Sequence, residues 1–312
     1  MTHRSRNKLP SRLGVKLPPT NATGFKWKKL LAPFDDPLQF LFEVGVDYVE
    51  YPVGHLDDNG EAELIYEAAS ACGKLGMGVA IHPYVSGKHN PANYSENSPC
   101  HTTMRRALHL AKRAHEATGK KTIVVFHPAA MSYDAETDLD KLRQRLLDRS
   151  RAFARELERE SAAAGPGVMA VLEHQVPPNP DEQLIRIADN FEALLAVTRD
   201  TSVPLCWDTG HYLLAVERHG QDLYPPQEFV DRVEHVHLHA VTEGRDHRPV
   251  VTESEVPRNY LQSLWRRGFT NGITLEYSVE GLDEAGGLKK VVEESASLLR
   301  KWSAGISADE IH

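Results

Sequence analysis

The sequence predicts an α/β protein in which eight parallel strands alternate with helices and close into a (β/α)₈ TIM barrel. Short apolar runs recur along the chain, and each ends in a polar residue before an amphipathic stretch begins. The runs are continuously apolar, as in strands of a parallel sheet that are covered on both faces. The first run also lacks the glycine fingerprint that an open dinucleotide-binding sheet would carry there. A closed barrel therefore fits the pattern better than an open sheet.

The eight predicted strands follow in chain order. They are LGVKL (13–17), VDYVEYPV (46–53), MGVAIHPYV (77–85), KTIVVFHPA (121–129), VMAVLEHQ (168–175), VPLCWDTGH (203–211), VEHVHLHAV (233–241) and GITLEYS (272–278). Helices are predicted where apolar residues recur at helical spacing. The clearest sets are Leu139, Leu142, Leu146, Phe153 and Leu157; Leu184, Ile187, Phe191, Leu194 and Leu195; and Leu261, Leu264 and Trp265. We expect residues 1–11 to form a basic tail and residues 12–312 to form a single catalytic barrel domain.

Composition limits the function classes. The chain has 312 residues, 41% hydrophobic and 26% charged, and no run of about 18 apolar residues that would span a membrane. Its basic start has no apolar stretch typical of a secretory signal, and its three cysteines are scattered, so we expect a cytoplasmic protein. The net charge of −8 argues against nucleic acid as a partner. Oligomeric state, including a homo-oligomer, stays open.

Carboxylates and imidazoles cluster at the ends of the predicted strands. The C-terminal ends of barrel strands converge on one rim, where such enzymes place their active sites. The rim residues are Glu50, His82, His127, Glu173, Asp208, His211, His237, His239 and Glu276. A single histidine at a strand end is commonly a hydrogen-bonded core residue, but so many together indicate a site. The polar segment 86–99 follows the third strand on the same side, as either a substrate lid or a solvated connection.

Several ionised carboxylates in one small volume repel one another and lose solvation, so a cation is expected among them. Mixed imidazole and carboxylate ligands suit Mn²⁺, Zn²⁺, Co²⁺ or Fe²⁺ better than Ca²⁺, which prefers an all-oxygen shell. Asp208 and His211 are expected to bind that metal or to contact substrate. Their spacing of three residues would let a strand-end carboxylate and a turn imidazole face the same cavity.

Four short motifs at these positions resemble the xylose isomerase-like TIM barrels. They are VLEH around Glu173, WDTGH from Asp208 to His211, HVHLHA around His237, and ITLEYS around Glu276. The resemblance covers roughly residues 12–300. That superfamily contains sugar isomerases, ketose epimerases, inosose and dehydroshikimate dehydratases, and type IV apurinic endonucleases.

The resemblance implies specific roles for the rim residues. In the isomerases and epimerases one divalent metal is held by a Glu, an Asp, a His and a Glu, which match Glu173, Asp208, His237 and Glu276 here. His211 matches a residue that contacts substrate in those enzymes and binds a further zinc ion in the endonuclease branch. Two or three ions therefore stay open as alternatives to one. His82 and His127 match the ligands of a second ion, and a third metal or substrate site would use His211, Asp246 and His247.

Two departures from the family pattern affect these assignments. The endonuclease branch carries an Asp-x-His pair after the seventh strand, whereas Asp246 and His247 are adjacent here. The epimerase branch carries a second glutamate six residues after the fifth-strand glutamate, where this chain has Asn179. The segment around residues 245–248 instead resembles a substrate loop of the small-molecule enzymes. Substrate contacts are therefore also expected from Arg245, Arg248, Glu50 and His239.

The expected activity is a metal-dependent isomerase, epimerase or dehydratase that acts on a small sugar, polyol or keto compound through an enediolate. Glu173 and Glu276 are the expected proton-transfer residues, and His211 would polarise or orient a substrate oxygen. Two alternatives stay open: a zinc-cluster phosphodiesterase of the apurinic endonuclease type, and a barrel that binds a metal or a sugar without turnover.

Overall fold

Eight parallel strands close into a barrel, which confirms the predicted fold class. The computed structural model describes residues 9–17, 31, 33–54, 56 and 59–306, so most of the predicted basic tail lies outside the described residues. The barrel strands are β1 (Arg12–Lys16), β2 (Tyr48–Val53), β3 (Gly78–Pro83), β4 (Thr122–Phe126), β5 (Val168–Glu173), β6 (Leu205–Asp208), β7 (Val233–Leu238) and β8 (Gly272–Leu275). β1 pairs with β8 on one side and with β2 on the other, which closes the ring.

Helices follow the strands and cover the outside of the barrel. They are α1 (Pro37–Val44), α2 (Asn59–Lys74), α3 (Pro99–Thr118), α4 (Leu139–Ala164), α5 (Phe191–Thr198), α6 (Thr209–His219), α7 (Gln227–Val230), α8 (Glu255–Arg266), α9 (Val279–Glu284) and α10 (Leu288–Ala304). None of the helices described here is long and apolar enough to cross a membrane.

Side-chain caps fix where several of these helices begin. The Asp36 side chain accepts the backbone N–H groups of Leu38 and Gln39 at the start of α1, and Gly45 ends that helix with φ of 94°. A carboxylate at the N-cap satisfies free backbone donors, and a glycine in the left-handed region ends a helix without strain. The same use of an acidic N-cap starts α6, where the cap is Asp208.

The barrel interior consists of an apolar layer below a polar layer. Side chains along a strand alternate between its two faces, so residues two apart point to the same side. On five strands the polar residue follows the interior apolar residue by two positions: Tyr48 and Glu50, Ala80 and His82, Val125 and His127, Val171 and Glu173, and Cys206 and Asp208. The apolar members pack together in a small cluster inside the barrel. The sequence thus stacks the polar groups directly on this packed floor, at the C-terminal end.

The structure departs from the predicted helix that includes Leu184 and Ile187. Leu184–Arg186 is a short strand that pairs antiparallel with Ala130–Ser132, and α5 begins only at Phe191. Pairing satisfies the backbone polar groups while Ile185 and Ile187 are buried, so a tertiary contact overrides the helical spacing. A β-hairpin also joins Ala240–Thr242 to Arg245–Arg248, directly after β7.

Candidate metal centre

Glu173, Asp208, His237 and Glu276 meet at the C-terminal end of the barrel. Each offers one ligand atom, and these atoms all lie within 4.8 Å of one another. His237 Nδ1 is 2.7 Å from Glu276 Oε2, 3.2 Å from Glu173 Oε1 and 3.8 Å from Asp208 Oδ2. All four side chains are buried. The structure therefore brings together the four residues that the family resemblance assigns to one metal ion.

The chemistry of this donor set fits a divalent cation. Asp208 Oδ2 is buried and has no hydrogen-bond partner within the part of the chain that the structure describes. Burial raises the pKa of Glu173, but His237, His127 and His82 outweigh it and hold that pKa well below its usual value. Buried carboxylates that stay ionised need a nearby positive charge. One imidazole with three carboxylates suits Mn²⁺, Zn²⁺, Co²⁺ or Fe²⁺.

Asp208 links the metal group to the start of α6. Its Oδ1 atom accepts the backbone N–H of His211 at 2.8 Å, as an N-cap does. His211 Nδ1 lies 3.3 Å from Asp208 Oδ2 and 3.2 Å from the carbonyl oxygen of His174. That carbonyl can only accept, so His211 carries a proton on Nδ1 and presents Nε2 unprotonated when the ring is neutral.

A second group consists of His82, His127 and Glu173, with ligand atoms that also lie within 4.8 Å of one another. The Nε2 atoms of the two histidines are 3.2 Å apart. Glu173 Oε2 is 3.3 Å from His82 Nε2 and 2.9 Å from His127 Nε2. Burial, together with the charge of Lys16, lowers the pKa of His82 to about 4. Glu173 thus faces the first group with one oxygen and this second group with the other.

A third group contains His211, His239 and His247. The rings of His239 and His247 stack with centroids 4.4 Å apart, and the backbone N–H of His247 donates to His239 Nδ1 at 2.8 Å. Asp246 Oδ1 lies 3.1 Å from His247 Nδ1. Burial opposes the charged form of His247, but Asp246 and Glu276 raise its pKa to about 10. Within the predicted third site, Asp246 orients His247, and His239 stands beside it as a further ligand candidate.

Four further residues predicted to contact substrate lie outside the lining of the cavity over the metal group. Glu50 is completely buried below the rim, where its Oε2 atom is 3.1 Å from His235 Nε2. Arg245 is exposed and pairs with Glu243, and Arg248 pairs with Glu284. His239 is also buried, with Nε2 2.9 Å from Asp208 Oδ1. None of these four side chains lines that cavity.

A cavity of about 590 Å³ opens over the metal group. Its floor contains Glu173, Glu276, His82, His127, His211 and His247. Part of the segment predicted as a lid or connection forms one wall, through Ser86, Gly87, Asn90 and Asn93, and the strand pair of Ala130–Ser132 with Leu184–Arg186 forms another. Arg186 lines the cavity from this strand pair. Sequence reasoning missed it because its segment was predicted as helix.

Lys16 is a second residue that the sequence did not single out. Its Nζ atom lies 2.6 Å from Glu276 Oε1, 2.6 Å from His82 Nδ1 and 3.7 Å from Glu50 Oε1. The side chain is 7% exposed. Burial disfavours its charge, but Glu276 and the surrounding groups raise its pKa well above its usual value. The sequence held one signal for this role: Lys16 stands between Val15 and Leu17 in a strand predicted to be covered on both faces. A lysine is rarely buried unless it is paired.

Solved structures with the same fold include sugar 3-epimerases and an epimerase-like protein. A D-tagatose 3-epimerase-like protein superposes with a TM-score of 0.63 at 18% identity, covering 93% of this chain and 96% of that chain. A D-psicose 3-epimerase from Clostridium cellulolyticum H10, solved with D-tagatose, gives 0.60 at 12% identity, covering 94% and 98%. A D-allulose 3-epimerase from Methylomonas sp. gives 0.59 at 14% identity, covering 95% and 99%. These identities support a shared fold.

A comparison with curated protein sequences finds no significant match. The sequence model of the xylose isomerase-like TIM barrel family, in contrast, matches residues 38–302, which include seven of the eight barrel strands. This match confirms the resemblance inferred from the four strand-end motifs. By its sequence, its closed barrel and its strand-end residues, the chain belongs to the xylose isomerase-like TIM barrel family.

Proposed function

We propose that this protein is a divalent-metal-dependent enzyme that moves a proton next to the carbonyl group of a small sugar or polyhydroxylated keto compound. The observation that carries the proposal is the convergence of Glu173, Asp208, His237 and Glu276 beneath a cavity of about 590 Å³. The epimerases with the same fold, solved with D-fructose and D-tagatose, support a sugar as the substrate class. Isomerisation, epimerisation and dehydration all fit this chemistry.

Glu173 and Glu276 are the proposed proton-transfer residues. Both carboxylates line the cavity, and they approach it from β5 and from the end of β8. When bound, a divalent cation would polarise the substrate carbonyl and stabilise the negative charge that develops on its oxygen. One glutamate would remove the proton beside that carbonyl, and either glutamate could return it.

His211 is proposed to orient the substrate. Its Nδ1 atom is hydrogen-bonded to the His174 carbonyl and lies 3.3 Å from Asp208 Oδ2, which leaves Nε2 as a hydrogen-bond acceptor for a substrate hydroxyl. Arg186 adds a guanidinium to the cavity wall, and its Nη1 atom donates to the carbonyl of Val176 at 3.0 Å. That contact fixes the side chain while other N–H groups remain for substrate oxygens.

Hydrogen–deuterium exchange tests the proposal. The metal-loaded protein is incubated in D₂O with a panel of ketoses and polyhydroxylated keto acids, and deuterium incorporation next to the carbonyl is followed by NMR. We expect exchange with at least one substrate and its near-complete loss in Glu276→Gln. Glu63→Gln, at an exposed salt bridge with Arg113, is the matched control and should exchange normally. Exchange that persists in Glu276→Gln would contradict the scheme. If the wild type exchanges no compound of the panel, a non-catalytic binding barrel is favoured instead.

A second candidate function is phosphodiester hydrolysis by a zinc cluster. The grouping of His82 and His127 around the second oxygen of Glu173 favours it, because a bridging carboxylate can join two ions. The net charge of −8 counts against a nucleic-acid substrate. Elemental analysis separates the two proposals: one ion per chain supports the sugar enzyme, whereas two or three zinc ions with cleavage of abasic DNA support the hydrolase.

A further inference from the structure

Lys16 lies inside a group of side chains that could itself hold a cation. Glu50, His82, His237 and Glu276 offer ligand atoms within 4.8 Å of one another. The Lys16 ammonium contacts Glu276 and His82 at 2.6 Å each and lies 3.7 Å from Glu50. Three of the four members of this group thus surround a positive charge that the chain supplies itself.

The ammonium also determines which nitrogen of His82 carries a proton. A lysine ammonium only donates hydrogen bonds, so His82 Nδ1 must accept and the neutral ring is protonated on Nε2. A second positive charge on the ring, directly against the ammonium, would be repelled.

This protonation state bears on the second metal group. His82 Nε2 faces Glu173 Oε2 at 3.3 Å and His127 Nε2 at 3.2 Å, so it is placed to donate a hydrogen bond there. A protonated nitrogen has no free lone pair, and metal ligation requires the deprotonated atom. While Lys16 holds Nδ1, His82 acts as a donor to Glu173 instead of as a ligand shared with His127.

We propose that Lys16 takes the place of a second cation and restricts this centre to one metal ion. Its ammonium compensates the carboxylates of Glu50 and Glu276, and its contact with Nδ1 keeps His82 from ligating through Nε2. The inference rests on the proposed function, because it assumes that the first group binds a divalent ion. It deepens that proposal by favouring the one-metal sugar enzyme over the zinc cluster.

Metal stoichiometry tests the inference. Chelator-stripped protein is titrated with Mn²⁺ and with Zn²⁺ by calorimetry, and bound metal is counted by elemental analysis after dialysis. We expect one ion in the wild type, two in Lys16→Ala, which removes the charge and leaves room, and one in Lys16→Arg, which keeps the charge. Circular dichroism checks that each variant is folded. Two ions in the wild type, or one ion in both wild type and Lys16→Ala, would overturn the role of Lys16 and leave the metal proposal standing. A wild type that binds no ion would remove both.

A measurement on the wild type keeps the inference testable even if Lys16→Ala does not fold. Long-range ¹H–¹⁵N correlation spectra of the metal-free protein distinguish the two histidine tautomers. We expect His82 to have a protonated Nε2 and an unprotonated, hydrogen-bonded Nδ1, with assignment through the loss of its signals in His82→Gln. A proton on Nδ1 would overturn the inference, because Lys16 could not then donate to that atom.

Discussion

The carboxylate of Asp208 serves both the fold and the metal group through its contacts with His211. Asp208 Oδ1 accepts the His211 backbone N–H at 2.8 Å, while Asp208 Oδ2 faces the His211 ring at 3.3 Å and belongs to the ligand group. The three-residue spacing in the sequence is therefore the spacing of a helix N-cap to its third helical residue. One side chain starts α6 and directs its other oxygen at the metal group.

Replacing Asp208 separates these two roles. Asp208→Asn keeps an oxygen that caps α6 but removes the anionic ligand, so we expect the free energy of unfolding of the metal-free protein to change by less than about 1 kcal/mol. The dissociation constant for Mn²⁺ should rise by roughly 100-fold or more, since even indirect ligand partners contribute about 10- to 100-fold. Urea unfolding and calorimetry measure the two effects.

Asp138 provides the control for the cap itself. It caps α4 by accepting the Lys141 N–H at 3.2 Å and is not among the residues of the metal group. Asp138→Ala should reduce stability by about 1 kcal/mol and leave metal affinity unchanged, whereas Asp208→Ala should lose both cap and ligand. Unchanged Mn²⁺ affinity in Asp208→Asn would show that Asp208 is not a ligand.

Much of this arrangement was accessible from the sequence because barrels convert strand order into position. The eight apolar runs predict the eight strands, and the polar residues that end the fifth to eighth runs meet at the common rim. Glu173, Asp208, His237 and Glu276 could be placed together without knowledge of any side-chain conformation. Residues that depend only on strand ends are thus the predictable part of the site.

Residues whose role depends on local geometry were not predictable in this way. Lys16 is conspicuous in the sequence only as a charge within an apolar strand, and it is the register with Glu50 that brings its ammonium into the centre. Arg186 reaches the cavity from a short paired strand in a segment whose apolar residues have helical spacing. Glu50 was predicted to contact substrate, but it is fully buried, absent from the cavity lining and 3.1 Å from both His235 and His237.

Gly210 is predicted to be essential for the position of His239. A Cβ atom added to Gly210 would lie 2.0 Å from the His239 ring, far inside contact distance. Gly210→Ala must therefore displace that buried ring from Asp208, and we expect a loss of about 1–3 kcal/mol in stability together with weaker Mn²⁺ binding. Denaturant unfolding and calorimetry measure both quantities.

Gly305 offers the matched control, since its added Cβ would come no closer than 3.4 Å to a neighbour and its φ is −78°. Gly305→Ala should change stability by less than about 0.5 kcal/mol. If Gly210→Ala changes stability as little as Gly305→Ala does, the close approach of Gly210 to the His239 ring does not restrict position 210.

Removal of the metal should lower thermal stability. The ligand group concentrates buried carboxylates, and an ion that binds only the folded state stabilises it by about 2.7 kcal/mol at 100 times its dissociation constant. For a chain of this size we expect the melting temperature to rise by roughly 5 °C when Mn²⁺ or Zn²⁺ is added to chelator-treated protein. Differential scanning calorimetry measures the shift. The double variant Glu173→Gln with Glu276→Gln should show none, and an identical melting temperature with and without ion in the wild type would contradict a metal at this centre.

Two aspartates outside the site should contribute to the pH dependence of stability with opposite signs. Burial raises the pKa of Asp189, although Arg143 and His219 oppose the increase. The folded state then binds this proton more tightly than the unfolded state, so stability decreases as pH rises through the unfolded pKa of about 3.9 and the higher folded pKa. Asp189→Asn should therefore be more stable than the wild type at pH 7, and the difference should shrink toward acidic pH.

Asp134 provides the opposite case. Its carboxylate accepts a hydrogen bond from the Thr137 hydroxyl at 2.6 Å, which lowers its pKa. The ionised form is favoured by folding, so it contributes stability above the unfolded pKa of about 3.9, and this contribution is lost as pH falls through the folded pKa. Asp134→Asn should be less stable than the wild type at pH 7 and converge with it at low pH. Urea unfolding measures the stability of all three proteins from pH 7 down to the lowest pH at which they are folded. The stability difference between variant and wild type should change with pH in opposite directions for Asp189→Asn and Asp134→Asn. A change in the same direction would contradict the assigned environments.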